Sequence, residues 1–416
     1  MRAPDVGSVR AVTAQLRTST PDDHEALSLL SAQAFTVAPT PFDPARRPYL
    51  LDDSRRIVAE ADGRVVAHAG AWRFGQWFGG GRLACAGVAG VSVAPEHRGS
   101  GLGTAVVAEL LRTARAQGDV IASLYPMNHR FYRSLGFGPG SVRRRDRVPT
   151  RELARTQPPG GPRDAGVLIR PATADDVPGI EQVVARRARR GNGLLDHEAR
   201  HAARFAGDGS PGTYAWVAVG PDGTVRGHLL LAHAPAVDAA EWFSLSVAHL
   251  AADDVAVEAA LWRLVGSDHP GARTAEAFLP PGSLPRLAGE REIAPVGEFT
   301  LMSRLLDAEG ALLSRGWPAG ADGEVLFDVA DPLFAENSGL LRLTVADGAP
   351  AVDRSAGTAG RAAVGVDVAT LSSLVTGHLD PADAAHAGLL SGATEDDVAT
   401  LRRLLAGPAP QTIEFF

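Results

Sequence analysis

The stretch "VSVAPEHRGSGLGTAVVAELLR", Val91 to Arg112, runs from an apolar strand through Arg98, Gly99, Gly101 and Gly103 into an amphipathic helix. Glycines at a strand-to-helix turn let main-chain N–H groups close on a phosphate, and the helix N-terminus adds positive potential. The stretch therefore asks for an α/β domain with a phosphate-bearing ligand at its helix start. A nucleotide phosphate loop ends in Gly-Lys-Ser/Thr, and the chain has no lysine. A dinucleotide fingerprint needs a small third residue and an acid closing the next strand. Here Val106 takes the small position, and Asp119 precedes "VIASLY" instead of ending it. What remains is R-x-x-G-x-G, Arg98 to Gly103. The N–H groups of Gly99, Ser100, Gly101, Leu102, Gly103 and Thr104 would there cradle the pyrophosphate of coenzyme A.

Composition narrows the rest. At 416 residues the chain has room for two to four domains, and 45% apolar with 21% charged content is ordinary for a globular protein. Cys85 is the only cysteine, so the chain can form neither an internal disulfide nor a multi-cysteine zinc site. The missing lysine also removes Schiff-base and kinase chemistry. Net charge −7 argues against a nucleic-acid surface and leans toward cationic small ligands. The opening "MRAPDVGSVRAV" carries no apolar leader and no run approaches membrane-spanning length, so a cytoplasmic protein without a membrane partner is expected.

The chain repeats itself. "LRTSTPDDHEALSLLSAQAF" from Leu16 and "IRPATADDVPGIEQVVARRA" from Ile169 both predict a short strand, a Thr/Asp helix start and an apolar helix face. Each is followed by a hairpin with an Asp-Gly turn, at Asp62-Gly63 and Asp222-Gly223, and then by a strand and a helix. The second copy reads "LSVAHLAADDVAVEAALWRLV", with Asp253 and Asp254 where the first has its glycines. Such a turn would repel a pyrophosphate, so this copy is expected to bind no cofactor. The Pro/Gly-rich "RTQPPGGPRDAG" links the two. From about Gly297 the pattern becomes α+β: strands "GEVLFDVADP" and "GLLRLTVADG", a strand and helix in "AAVGVDVATLSSLVTG", and a helix in "TEDDVATLRRLLAG". Domains over 1–155, 156–296 and 297–416 are expected.

With these pieces in order, the chain resembles the Gcn5-related N-acetyltransferases, and more narrowly the Eis (enhanced intracellular survival) family. The likeness rests on "VSVAPEHR", "FYRSLGF", the second copy, "DPLFAENSGLLRL" and the terminal Phe416. It implies α/β and α+β architecture: two tandem acetyltransferase folds, the second degenerate, and a sterol-carrier-like C-terminal domain. It also implies acetyl-CoA as co-substrate without a metal, a small primary amine as acceptor (aminoglycoside, polyamine or lysine-like) and a homohexamer.

The resemblance further assigns roles. Main-chain groups of Val91, Ser92 and Val93 would bind the pantetheine arm and the thioester carbonyl, with Pro95 ending the ladder and opening a wedge. Met127 and Asn128 would sit on the cofactor side; Tyr125, His129 and Arg130 would shape the acceptor pocket. Tyr132 would be the general acid, and the main-chain carboxylate of Phe416 the general base. A phenol near pKa 10 is a weaker acid than a thiol near 8.5, so hydrogen bonding to the departing sulfur would be much of what Tyr132 does. From the residues alone, "EFF" reads as a tail docked in an apolar groove, and Glu414 either as an attractor of cations or as solvated surface.

Two other readings remain open. His197-Glu198-Ala199-Arg200-His201 fits the zinc-protease pattern H-E-x-x-H, yet Arg200 and Arg204 would repel a cation, and an Arg/His-rich solvated helix explains it as well. The chain could also be a non-catalytic sensor that binds acyl-CoA or lipid.

Overall fold

The computed structural model describes residues 14–35, 52–161, 164–197, 212–236, 241–289, 293–355 and 362–416. The first repeat comprises β1 (Gln15–Thr18), α1 (His24–Phe35), β2 (Arg56–Ala61), β3 (Arg64–Phe78), β4 (Gly81–Val93), α2 (Leu102–Ala116), β5 (Ile121–Leu124), α3 (His129–Ser134) and β6 (Gly138–Pro149). The second comprises α4 (Thr150–Ala154), β7 (Leu168–Pro171), α5 (Val177–Arg190), β8 (Leu195–His197), β9 (Thr213–Val219), β10 (Val225–Pro235), β11 (Phe243–Ala252), α6 (Val255–Gly266), β12 (Thr274–Phe278), α7 (Leu284–Ala288) and β13 (Ala294–Leu305).

Both repeats open on the same local chemistry. Thr20 and Asp23 form a capping box ahead of α1, and Thr173 and Asp176 form one ahead of α5. Arg17 grips Asp23 through two nitrogens at 2.7 and 2.8 Å, and Arg170 grips Asp176 at 2.7 and 2.7 Å. Hydrogen bonding to these guanidinium groups holds both carboxyls down to about 2. The β2–β3 turn carries Asp62 and Gly63 at φ 51° and 71°, the left-handed pair that twists a tight hairpin correctly.

The described strands of both repeats join in one sheet of order β1-β2-β3-β4-β5-β13-β6-β12-β11-β10-β9-β7, with β8 paired to β3. Each half contains one parallel pair, β4 with β5 and β11 with β12. The closing strands are exchanged. β6, from the first repeat, pairs with β12 of the second, while β13, from the second, pairs with β5 of the first. The two exchanged strands also pair with each other, so the sheet runs through the junction without a free edge there.

The third unit holds α8 (Ala308–Ser314), β14 (Gly323–Ala330), β15 (Gly339–Ala346), β16 (Ala349–Asp353), β17 (Val364–Asp367), α9 (Val368–Val375), α10 (Pro381–His386) and α11 (Glu395–Leu404). Its sheet has the order β16-β15-β14-β17. The expected boundary at 297 falls inside β13, which belongs to the large sheet, so the third unit begins in space after Leu305. Its core is continuous with the first repeat: Phe74, Phe78 and Ile121 pack in one buried cluster with Val325, Phe327 and Leu371.

A buried ion pair crosses the same boundary. Arg304 of β13 is fully buried and donates to Asp331 at 2.6 Å, to the carbonyl of Leu135 at 2.7 Å and to that of Leu305 at 2.7 Å. Asp331 also accepts from the N–H of Leu333 and Phe334 and from Asn337. The "DPLFAEN" stretch is thus the socket for one arginine, and that arginine fastens the loop after α3. No helix among the described residues is long and apolar enough to cross a membrane.

Candidate active site

β4 and β5 pair only from Cys85–Ile121 to Gly87–Ser123, and β5 ends at Leu124. Beyond Gly87, β4 runs on with no partner on that side among the described residues. The divergence is built into the strand. Opposite β3 the register passes from Ser92 to Ala89 while its partners pass from His68 to Gly70, so Gly90 and Val91 together face Ala69. Gly90 takes φ 64°, the left-handed conformation such a bulge requires. The wedge therefore opens well before Pro95, which ends only the β3–β4 ladder.

The glycine turn closes one end of this wedge. Gly99 and Gly101 take φ 80° and 88°, and nothing lies within 4 Å of where a Cβ would stand on either. Gly101 is the N-cap of α2, and no side chain satisfies the first-turn N–H groups. At Gly103 a Cβ would stand 3.5 and 3.6 Å from Val93 and Phe131, ordinary packing distances, so this glycine is not required by the packing around the helix start.

A cavity of about 1080 Å³ occupies the wedge. Of the expected cofactor-side residues, Val91, Ser92, Val93, Arg98, Gly99, Gly101, Leu102, Gly103, Thr104, Met127 and Asn128 all line it. Ser100 does not. Its hydroxyl turns back to donate to the carbonyl of His97 at 2.6 Å, which tightens the turn instead. Asn128 also caps α3, accepting from the N–H of Phe131 at 3.1 Å.

Tyr132 lines the same cavity, set edge-on against Phe131 and Phe137 at 4.8 and 5.8 Å between ring centres. Burial pushes its phenol up to about 12. Tyr125 reaches the cavity too, whereas His129 and Arg130 are exposed on α3 and do not line it. Their expected place in the pocket is corrected by helix geometry: α3 turns Phe131 and Tyr132 inward and the two preceding residues out.

The C-terminal tail enters from the opposite side. Gln411 donates to Asn192 at 2.7 Å, Thr412 to Val142 at 3.0 Å, and Arg143 to the carbonyl of Ile413 at 3.2 Å. Phe415 stacks on Tyr125 at 5.0 Å, and Phe416 meets Phe74 edge-on at 4.9 Å, both lining the cavity. Glu414 is neither solvated surface nor a cation attractor. It is 4% exposed, its carbonyl accepts from the Tyr125 hydroxyl, and its carboxylate accepts from Leu195 and Ile413 N–H groups at 3.4 and 3.2 Å. Burial raises its pKa above the usual carboxylate range despite Arg187 nearby, and His249 lies 3.9 Å away.

The second repeat has the same wedge in reduced form. β11 and β12 pair over Leu245–Ala275 to Val247–Ala277, with a cavity of about 260 Å³ beyond. Here Asp254 caps α6, accepting from Ala256 and Val257 at 2.9 and 3.0 Å, while Asp253 pairs with Arg186 at 2.8 and 3.0 Å. The N–H groups that face open space in the first copy are thus taken by a carboxylate in the second.

Residues 198–201 of the H-E-x-x-H pattern lie outside the described residues, and among the described residues no cluster could hold a metal ion. Sequence reasoning missed Ser31 and Phe35 of α1, Arg143 of β6 and Phe299 of β13 as cavity-lining groups. The alternation of strands marks Arg143 and Phe299 as facing one side, but only the strand exchange brings that side to this wedge.

The chain matches the acetyltransferase (GNAT) domain family over residues 15–140 and the sterol carrier protein domain family over residues 308–413. An uncharacterized N-acetyltransferase of Streptomyces avermitilis is 30% identical over 319 residues, covering 71% of this chain and 73% of that protein. Among solved structures, a GCN5-related N-acetyltransferase from Kribbella flavida superposes with a TM-score of 0.83 at 29% identity, over 99% of this chain and 100% of that one. Eis1 from Mycobacterium abscessus shares the fold with a TM-score of 0.76 at 22% identity, over 97% of this chain and 100% of that one. With its open glycine turn and its match to these relatives, the chain belongs to the GCN5-related N-acetyltransferases, joined here to a sterol carrier protein domain.

Proposed function

We propose that the chain transfers the acetyl group of acetyl-CoA to a primary amine by direct attack on the thioester. One observation carries this reading. The glycine turn, Tyr132 and the C-terminal Phe416, far apart in sequence, line a single cavity of about 1080 Å³.

The residues present suit acetyl-CoA. Bare backbone at Gly99 and Gly101 and the uncapped start of α2 would hold the pyrophosphate. The unpaired edge of β4, from Val91 to Val93, would take the pantetheine arm, with Met127 and Asn128 alongside. Acetyl-CoA supplies an acetyl group already activated as a thioester. The Phe416 carboxylate accepts a proton from the incoming ammonium group, beside the rings of Tyr125, Phe74 and Phe415 that hold the tail.

Tyr132 stabilises the departing sulfur. A phenol held at about 12 would give up its proton to a thiolate of pKa about 8.5 only at a cost of roughly 5 kcal/mol. Its role is therefore a hydrogen bond donated to sulfur, with the proton arriving in full from the amine or water.

The test is thiol release from acetyl-CoA with a panel of primary amines, with acetylated product confirmed by mass. Appending one glycine to Phe416 moves the carboxylate, and turnover should fall at least tenfold while acetyl-CoA still binds. Unchanged turnover in that variant would remove the carboxylate role; silence across the panel would remove the reaction.

A further inference from the structure

The second repeat keeps a cavity although a carboxylate already takes the first N–H groups of α6. β11 and β12 part after Val247–Ala277, and the space beyond them measures about 260 Å³, against about 1080 Å³ in the first wedge. Leu194, Leu250, Trp262, Phe278 and Ile413 give it apolar walls. It has room for a single ring or a short chain, less than a drug-sized pocket of about 300–1,000 Å³ offers.

The charged side chains lining it are Arg187, Arg190, Asp253, Asp254 and Glu258, and all but Arg187 are engaged by neighbours. Asp253 accepts from Arg186 at 2.8 and 3.0 Å, and Asp254 accepts from Arg226. Arg190 donates to the carbonyls of Asp253 and Ala252 at 2.8 and 3.3 Å. Glu258 accepts from the Trp262 indole at 3.1 Å and from the Leu284 N–H at 2.8 Å. His249, also on the wall, meets His228 at 3.3 Å between their Nδ1 atoms.

Arg187 stands apart. Among the described residues it donates no hydrogen bond and has no carboxylate within 4 Å. Glu414 and Glu258 act on it only at longer range, and burial holds its guanidinium below the ordinary arginine value. Glu414 is itself pushed toward its neutral form by burial, so it opposes an incoming anion little. A guanidinium that has lost water without gaining a partner is costly. Its planar fork matches a carboxylate through two parallel hydrogen bonds.

We propose that the wedge of the second repeat is a binding site, separate from the acetyl-transfer cavity, for a small organic monocarboxylate. Its carboxylate pairs with Arg187 and its apolar body lies against Leu250, Trp262, Phe278 and Ile413. The site does not depend on the reaction proposed above.

The experiment titrates the full chain by calorimetry with benzoate, with benzamide and with inorganic phosphate, CoA being present to keep anions off the glycine turn. Benzamide has the ring without the charge; phosphate has charge without an apolar body. Benzoate should bind at least tenfold more tightly than either. Arg187→Gln should weaken benzoate at least tenfold, while Arg187→Lys, which keeps the charge, should stay within about threefold of wild type. Benzoate should raise the thermal midpoint of the wild type and leave that of Arg187→Gln unmoved. Benzoate affinity unchanged in Arg187→Gln overturns the inference, because the ligand then sits elsewhere. Equal losses in the glutamine and lysine variants overturn it as well, because packing and not charge would then hold the ring. So does benzamide or phosphate binding as tightly as benzoate.

Discussion

Tyr132 and His68 show how burial near the wedge sets two titrations apart from their ordinary values. With its phenol at about 12, Tyr132 stays protonated across the working range, so no loss of kcat/KM below pH 10 should trace to its ionisation. On the proposed role, removing the hydroxyl in Tyr132→Phe costs a hydrogen bond to a developing anion, about 1.5–3 kcal/mol. Turnover should fall roughly 10- to 150-fold, with KM for acetyl-CoA little changed; steady-state kinetics check both. His68 lies behind the Gly90 bulge, 3% exposed, with its Nε2 3.3 Å from the Ser31 hydroxyl. Burial, reinforced by Arg56, lowers its imidazole to about 3. The folded ring is therefore neutral where the unfolded one, near 6.5, takes a proton. Its contribution to stability is whole above 6.5 and is lost as pH falls toward 3, at about 1.4 kcal/mol per pH unit. Urea unfolding at pH 7 and pH 5 should show that loss in the wild type and a shallower one in His68→Gln. None of this is legible in sequence. A tyrosine in "FYRSLGF" announces its helix, but Ser100, His129, Arg130 and Glu414 each looked site-facing or solvated until neighbours distant in the chain fixed where they point.

At the scale of elements, the turn between β4 and α2 was the most readable part, because its demands are local. Positive φ at Gly99 and Gly101 and an uncapped helix start follow from the glycines themselves. Gly101→Val should strain the backbone by about 1–2 kcal/mol and put side-chain atoms into the open space proposed for the pyrophosphate. The control is Gly63→Val, also at positive φ with nothing within 4 Å of its Cβ, but in the β2–β3 hairpin. Both variants should lower the thermal midpoint similarly, while KM for acetyl-CoA rises at least tenfold only in Gly101→Val. Equal KM values would remove the turn from cofactor binding. The helix starts, both Asp-Gly hairpins and the third unit's strands were readable for the same reason. The depth of the wedge was not, since a bulge at Gly90 and the short reach of β5 appear only as register. Arg304 was silent too. It is one arginine among many in the sequence, and its burial against Asp331 needs β13 in the first repeat's sheet.

Over the whole molecule, the repeat was visible but its topology was not, because exchanging β6 and β13 leaves every local pattern intact. Since Phe299 of β13 lines the first repeat's cavity, that exchange gives a part in it to the second repeat. Its wedge receives the tail: Ile413 packs on Ala188 and Leu194, and Glu414 sits between the Leu195 N–H, Arg187 and His249. The residues on which the proposed base depends are therefore fastened in the repeat that holds no open glycine turn. Glu414→Ala removes the acceptor for two N–H groups, whereas Glu414→Gln keeps an oxygen there and matches the neutral form that burial favours. The alanine variant should release Phe416 and Phe415 to carboxypeptidase several-fold faster than wild type, with kcat reduced and acetyl-CoA KM nearly unchanged. The glutamine variant should resist digestion and keep most of kcat. Loosening of the tail without loss of kcat would mean that Glu414 anchors it but that the terminal carboxylate is not the base. Equal digestion rates for alanine and wild type would mean that the ring contacts of Phe415 and Phe416 hold the tail by themselves.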